Sequence, residues 1–305
     1  MKKINRLVLA VLMTLATILP LNRVQSQAKD LNIVTSFYPM YAITSEIVGD
    51  LHEVKMINSG KGIHDFEPSA ADIKAIYNAD IFIYNSKSLE SWTKNLEANK
   101  GDHKVQMIQA TEDLELKKVP GLEDMEVMEG KDESNLYDPH SWLDPIEAGR
   151  EAQVIADQLA KIDPDNADHY QTNAKAFQDK AQALVDKYTP IFDKAKLKTF
   201  VTQHTAFYYL AERFGLKQLG ISGISSDQEP SARQLNEVIQ FVKENNVKTI
   251  FVEPNISNKV SQVVAQNTGV DVVEMSPLES DPQNDLTFLE NMEAQLKVLS
   301  DVLSK

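Results

Sequence analysis

A short phrase occurs twice in this chain, and each copy precedes a helix and then an apolar strand. Residues 62–72 read Gly-Ile-His-Asp-Phe-Glu-Pro-Ser-Ala-Ala-Asp, and the apolar segment 79–84 follows them. Residues 223–232 repeat the Glu-Pro-Ser element, and the apolar segment 248–252 follows. In both copies a serine and an acid or amide three positions later have the spacing of a capping box. The repetition predicts two similar lobes with a ligand site between them.

Strands and helices alternate along both halves, which is typical of α/β domains with mainly parallel sheets. The first half contains predicted strands at 31–37, 53–57, 79–84 and 105–108. The second half contains predicted strands at 199–202, 219–221, 248–252 and 270–275. We therefore expect a four-stranded sheet in each lobe.

One long helix is predicted between the lobes. After Asp163-Pro164-Asp165, apolar residues recur at steps of three and four: Ala167, Tyr170, Ala174, Phe177, Ala181, Leu184, Tyr188, Ile191 and Ala195. Such a helix is about 40 Å long, and Pro190 is expected to kink or end it. A coiled coil is the alternative, but within an α/β chain a single bridging helix is favoured. The predicted division is a lobe at 27–162, a linking helix at 163–195 and a lobe at 196–305.

The first 26 residues have the pattern of a secretory signal peptide. Three positive residues precede the apolar run 7–19, Pro20 ends the run, and small residues near Ser26 offer a cleavage site. A membrane anchor is the alternative, but the run is shorter than the roughly 20 residues that span a bilayer. We expect an exported protein, held at the cell surface or free in the periplasm or outside the cell.

The absence of cysteine and the negative net charge exclude several kinds of site and partner. The chain has no cysteine, which excludes thiolate metal ligands and cysteine nucleophiles. Removal of the four positive residues of the signal segment changes the formal net charge from −14 to −18. So acidic a surface repels nucleic acid and favours cations, and no nucleic-acid partner is expected.

Four residues are candidate metal ligands: His64, His140, His204 and Glu279. Each lies in a loop after the C-terminal end of a predicted strand, where open α/β sheets bind ligands. Two come from each predicted lobe, so the cleft would bring them together. Three imidazoles and a carboxylate suit a tetrahedral Zn²⁺ site.

Other residues compete for these roles. The alternative carboxylates are Asp65, Glu67, Glu229, Glu253 and Asp281, of which Glu67 and Glu229 are expected at helix caps. The sequence leaves open whether Glu279 or Asp281 is the fourth ligand. Three further histidines are interpreted as non-ligands: His52 in a turn, His103 in a polar loop and His169 near a helix start.

Five motifs together resemble those of the substrate-binding proteins of zinc and manganese ABC importers. They are residues 33–39 (Ile-Val-Thr-Ser-Phe-Tyr-Pro), 62–69, 138–145 (Asp-Pro-His-Ser-Trp-Leu-Asp-Pro), 202–207 (Thr-Gln-His-Thr-Ala-Phe) and 277–279 (Pro-Leu-Glu). The likeness covers the mature chain and is strongest to the streptococcal zinc-binding, laminin-binding surface lipoproteins. It implies a rigid two-lobed fold with a metal buried in the cleft.

The resemblance also implies roles for the four candidate residues. It assigns His64 and His140 to the first lobe, and His204 and Glu279 to the second. Manganese-selective relatives have a carboxylate at the third position and an aspartate at the fourth, so His204 and Glu279 favour zinc. This chain departs from relatives that carry a lipid-bearing cysteine after the signal peptide, and its acidic loop 112–135 replaces a histidine-rich one.

The expected function is an extracytoplasmic binding protein, acting as a monomer, that captures one Zn²⁺ and delivers it to an ABC permease. A manganese-selective binding protein of the same family is one alternative. A laminin-binding adhesin with a structural zinc is another, and other exported zinc-binding proteins are possible partners. A zinc hydrolase is disfavoured because neither His-Glu-x-x-His nor Gly-x-Ser-x-Gly occurs.

Overall fold

Each half of the chain builds one parallel β-sheet, and the two sheets have the same strand order. The computed structural model describes residues 30–58, 62–118, 137–225 and 230–305. The first sheet contains β1 (Ile33–Thr35), β2 (Val54–Met56), β3 (Ile81–Tyr84) and β4 (Gln106–Gln109), in the order β2-β1-β3-β4. The second contains β5 (Thr199–Thr202), β6 (Lys217–Gly220), β7 (Thr249–Val252) and β8 (Asp271–Glu274), in the order β6-β5-β7-β8. The predicted pair of four-stranded α/β lobes is confirmed.

Helices connect and cover the strands. In the first half they are α1 (Tyr38–Val48), α2 (Ala70–Asn78), α3 (Thr93–Ala98) and α4 (Pro145–Ile162). The long helix α5 (Ala167–Asp193) follows a single 3₁₀ turn. In the second half they are α6 (Tyr208–Arg213), α7 (Ala232–Glu244), α8 (Lys259–Thr268) and α9 (Phe288–Leu303). Among the described residues, no helix has the length and apolar character needed to cross a membrane.

The repeated phrase forms two equivalent helix starts. Ser69 Oγ accepts from the Asp72 backbone N–H, and the Asp72 carboxylate accepts from the Ser69 N–H at 2.8 Å. Ser231 and Gln234 form the same box at α7. Glu67 is exposed and takes no part in this box, which is formed by the predicted pair Ser69 and Asp72. Glu229 and the signal segment 1–26 lie outside the described residues.

The long helix α5 packs against both halves of the chain. Its 27 residues contact α1 and α4 on the first-lobe side and α9 near the C-terminus. Most of its predicted apolar face is buried, but Ile191 is 37% exposed and Phe192 is fully buried in its place. Pro190 lies inside the helix, which continues three residues further to Asp193. The interpretation of Ile191 as a core residue is therefore wrong.

One apolar core runs through both lobes. The largest cluster of buried side chains includes Phe37 next to the first sheet, Phe177 on α5 and Phe251 in the second sheet. Two smaller clusters cover the outer faces of the sheets. The two lobes therefore share one apolar core.

We expect Phe192→Ala to lower the free energy of unfolding by about 3–5 kcal/mol, because a buried ring in contact with Phe214 is removed. Ile191→Ala is the matched control on the same turn and should cost under about 1 kcal/mol. Urea denaturation of the metal-free protein measures both values. Equal losses would contradict the helix phase described above.

Candidate metal centre

Four side chains from different loops meet in the cleft. The Nε2 atoms of His64 and His140 are 3.1 Å apart, and those of His140 and His204 are 3.4 Å apart. Glu279 Oε1 lies at 3.5, 3.4 and 3.2 Å from Nε2 of these three histidines in turn. All four ligand atoms lie within 4.8 Å of one another, and no other such group occurs among the described residues.

These distances match the dimensions of a zinc tetrahedron. Zinc bonds to nitrogen and oxygen of about 2.0–2.1 Å give a tetrahedron with edges of about 3.3–3.4 Å. Five of the six edges here measure between 3.1 and 3.5 Å. His140, His204 and Glu279 are buried, and only His64 has a partly exposed side chain, at 11%. The geometry therefore suits one small cation shielded from water.

Asp138 orients the imidazole of His140. Its Oδ1 accepts from the His140 backbone N–H at 2.9 Å and from Nδ1 at 2.7 Å. A carboxylate can only accept, so Nδ1 carries the hydrogen, and Nε2 of the neutral ring offers its lone pair to the centre.

Glu253 performs the same task for His204. Its Oε1 accepts from His204 Nδ1 at 2.5 Å. Thr205, which follows His204, lies against Gly220, where an added Cβ would be 2.2 Å from Thr205 Oγ1 and 2.7 Å from the Thr205 backbone N. Only glycine fits at that contact.

Because Asp138 and Glu253 hold the Nδ1 hydrogens, the Nε2 lone pairs of His140 and His204 point at each other. This arrangement is repulsive unless a proton or a metal ion lies between them.

The electrostatics of the site follow from burial and mutual charge. Burial lowers the pKa of His64. Burial also opposes the charged form of His204, but Glu253 and Glu279 outweigh it and raise its pKa to about 10. Burial would raise the pKa of Glu279, yet the three histidines hold it well below its usual range. A proton and a metal ion thus compete for Nε2 of His204, the ring nitrogen that faces the other ligands.

The remaining candidates lie elsewhere. The Asp281 carboxylate accepts from the Gln283 N–H in its own turn, and Asp65 and Glu67 are exposed. His103 stacks on Tyr77, and His169 contacts the Val48 carbonyl.

His52, interpreted as a non-ligand in a turn, lies outside the four-ligand group and contacts the long helix instead. It is buried, and its Nε2 lies 2.7 Å from Tyr170 Oη and 3.3 Å from Asp163 Oδ2. This contact links the first lobe to the start of α5, where a charged or hydroxyl partner satisfies the buried ring.

Two buried acids lie behind the site in the first lobe. Glu90 accepts from Ser36 Oγ and from two backbone N–H groups, and burial raises its pKa to about 7. Ser141, next to His140, donates to Glu151 Oε1 at 2.5 Å, and burial raises the pKa of Glu151 to about 8. Glu151 therefore anchors the segment that follows His140, and Glu90 joins the segments that follow β1 and β3.

Sequence reasoning missed the supporting residues. Asp138 lies only two positions before His140, so this local spacing was an available signal. The sequence indicates Glu253 only as a competing ligand, because it lies 49 residues from His204. Gly220 gave no sequence signal, because its neighbour Thr205 is distant in the chain.

Fold and site together define a two-lobed α/β protein with a candidate metal site in its cleft. The chain belongs to the family described as ZnuA, zinc-uptake complex component A, periplasmic, whose model matches residues 33–302. It is 38% identical over 295 residues to the high-affinity zinc uptake system protein ZnuA of Bacillus subtilis, covering 91% of this chain and 89% of that protein. It is 39% identical to the zinc-binding lipoprotein AdcA of Streptococcus pneumoniae, covering 98% of this chain but only 60% of AdcA.

Solved structures show the same architecture. A Zn(II)-bound mutant variant of AdcAII from Streptococcus pneumoniae is 55% identical, with a TM-score of 0.85 over 90% of this chain and 99% of that one. The laminin-binding protein of Streptococcus agalactiae, described as bifunctional with adhesin and metal-transporting activity, is 51% identical with a TM-score of 0.82 over the same shares. The resemblance inferred from the motifs is confirmed.

We expect Glu253→Ala to weaken Zn²⁺ binding about 10- to 100-fold, because His204 would lose the partner that fixes its ring. Asp281→Asn is the control, since Asp281 lies outside the four-ligand group. Competition against a chelator of known affinity measures both. An equal or larger loss from Asp281→Asn would contradict the special role of Glu253 in holding His204.

Proposed function

We propose that this protein is an extracytoplasmic binding protein that captures one Zn²⁺ through His64, His140, His204 and Glu279 and delivers it to an ABC importer. The observation that carries the proposal is the set of ligand–ligand distances, which match the edges of a zinc tetrahedron. Family membership and zinc-binding relatives support it.

The arrangement favours binding over catalysis. Four protein ligands complete the tetrahedral shell and leave no position for a reactive water. Two of the histidines are further held by Asp138 and Glu253, which fix ring orientation for tight binding. We infer that the ion is cargo and that the protein is not an enzyme.

Zinc is the proposed ion because three of the four ligands are imidazoles. Manganese prefers oxygen-rich ligand sets.

All four ligands come from one chain, which supports action as a monomer. The proposed lobes are residues 27–162 and 196–305, and residues 163–195 link them. The proposed partner is the permease of a zinc importer, and the proposed location is outside the cytoplasmic membrane, as for relatives described as periplasmic or lipoprotein.

Laminin binding is a second candidate function. The observation that favours it is the likeness to a streptococcal protein described as both an adhesin and a metal transporter. Binding to immobilised laminin by a variant that lacks the metal ligands would establish adhesion as separate from zinc capture. Laminin binding that disappears with the metal would make zinc a structural part of it.

In a competitive titration with Zn²⁺ and Mn²⁺, we expect the metal-free protein to bind one zinc per chain and to prefer zinc. His204→Ala and Glu279→Ala should each weaken zinc binding by at least about tenfold, because each removes one corner of the tetrahedron. Metal content measured after dialysis gives the stoichiometry. A preference for manganese, or no tight metal at all, would refute the proposed function.

Zinc affinity should rise with pH, by about tenfold per unit where one proton is displaced. The reason is that the pKa of His204 is raised to about 10, so at neutral pH zinc must replace a proton there. Chelator competition at pH 6, 7 and 8 measures the slope, and His204→Ala should make it shallower. An affinity that stays constant across this range would contradict the competition between proton and zinc.

A further inference from the structure

The loop that carries Glu279 contains a strained residue. Leu278 has a φ of 56° although it is not a glycine, and its side chain is buried. In this left-handed region the Cβ of an L-residue is crowded by its own backbone. Such a conformation persists only where the surroundings hold it, and it is found preferentially at functional sites.

Three hydrogen bonds hold this loop. The Ser276 N–H donates to Gln295 Oε1 of α9 at 2.8 Å, and the Leu278 N–H donates to Ser276 Oγ at 3.0 Å. The third bond comes from the other lobe, where the indole N–H of Trp142 donates to the Pro277 carbonyl at 2.9 Å. The carbonyl of Pro277 is therefore fixed directly before the strained residue and two positions before the ligand.

Trp142 is itself rigidly placed. It is fully buried, and its ring meets Phe37 edge-on, with the centroids 5.0 Å apart. It lies two residues after His140, and the two rings are 5.2 Å apart. A single turn of 3₁₀ helix, Ser141–Leu143, thus follows one ligand of the first lobe and contacts the loop of a ligand from the second.

We propose that Trp142 is a positioning residue for Glu279. Its N–H holds the Pro277 carbonyl and keeps Leu278 in the left-handed conformation, which directs the Glu279 carboxylate at the three imidazoles. The hydrogen bond also fixes the distance between the two lobes at the site. This inference rests on the proposed zinc-binding function and names the residue that makes the fourth ligand available.

The chain offers a matched control, because it contains two tryptophans. Trp142→Phe keeps a buried ring but removes the hydrogen bond to Pro277. Trp92→Phe removes an indole N–H that is also buried but has no hydrogen-bond partner among the described residues. We expect Trp142→Phe to raise the zinc dissociation constant about tenfold and Trp92→Phe to leave it unchanged.

A general loss of stability would not reproduce two further results. Cobalt substituted into the site should show weaker visible absorption in Trp142→Phe, because the coordination geometry changes when Glu279 is no longer held. In a Glu279→Gln background, Trp142→Phe should change the zinc dissociation constant by less than about twofold, since the two residues act as one unit.

A separate variant tests the conformation of Leu278. Ser276→Ala removes the acceptor for the Leu278 N–H and should weaken zinc binding without any change at Trp142.

Equal weakening by Trp142→Phe with Glu279 and with Gln at position 279 would overturn the inference, because Trp142 would then act on another ligand or on the fold. Unchanged zinc affinity in Trp142→Phe would also overturn it, whatever the effect of Ser276→Ala. Failure of the unsubstituted protein to bind zinc would instead refute the proposed function, and this inference with it.

Discussion

The fold holds three imidazole nitrogens and one carboxylate oxygen, largely buried, within about one hydrogen-bond length of one another. Bringing these groups together costs free energy, and this cost is the constraint that the rest of the structure has to meet. Asp138 and Glu253 fix the Nδ1 hydrogens of His140 and His204, so their Nε2 lone pairs converge. Lone pairs at 3.4 Å repel unless a cation or a proton joins them. The rest of the fold holds these groups in place against that repulsion.

The two lobes are equivalent in topology but not in their use of loops. His140 follows β4 and Glu279 follows β8, which occupy the same place in the two sheets. His64 follows the edge strand β2, whereas His204 follows the central strand β5. The site therefore takes equivalent loops for two ligands and different loops for the other two. The two sheets have the same strand order, but the four ligands are not placed symmetrically on them.

Local patterns predicted most of the fold. Strand alternation and capping boxes place all eight strands within a few residues, because these signals need only neighbours in sequence. The short α3 was missed, since six residues carry little periodicity. Ile191 was placed wrongly because the three-and-four spacing does not distinguish it from Phe192 one position later. The four ligands could be proposed from loop positions and motifs, but Glu253, Gly220 and the Trp142–Pro277 contact depend on residues distant in sequence.

The buried acids Glu90 and Glu151 make the stability of the fold depend on pH. Their pKa values are raised from 4.5 to about 7 and about 8 by burial. Their contribution to stability is therefore complete below about pH 4.5 and is lost as the pH rises through 7 and 8. Metal ligation runs the other way, because rising pH frees imidazole nitrogens. Rising pH thus strengthens the hold on the ion while it removes the contribution of these two acids to the stability of the fold.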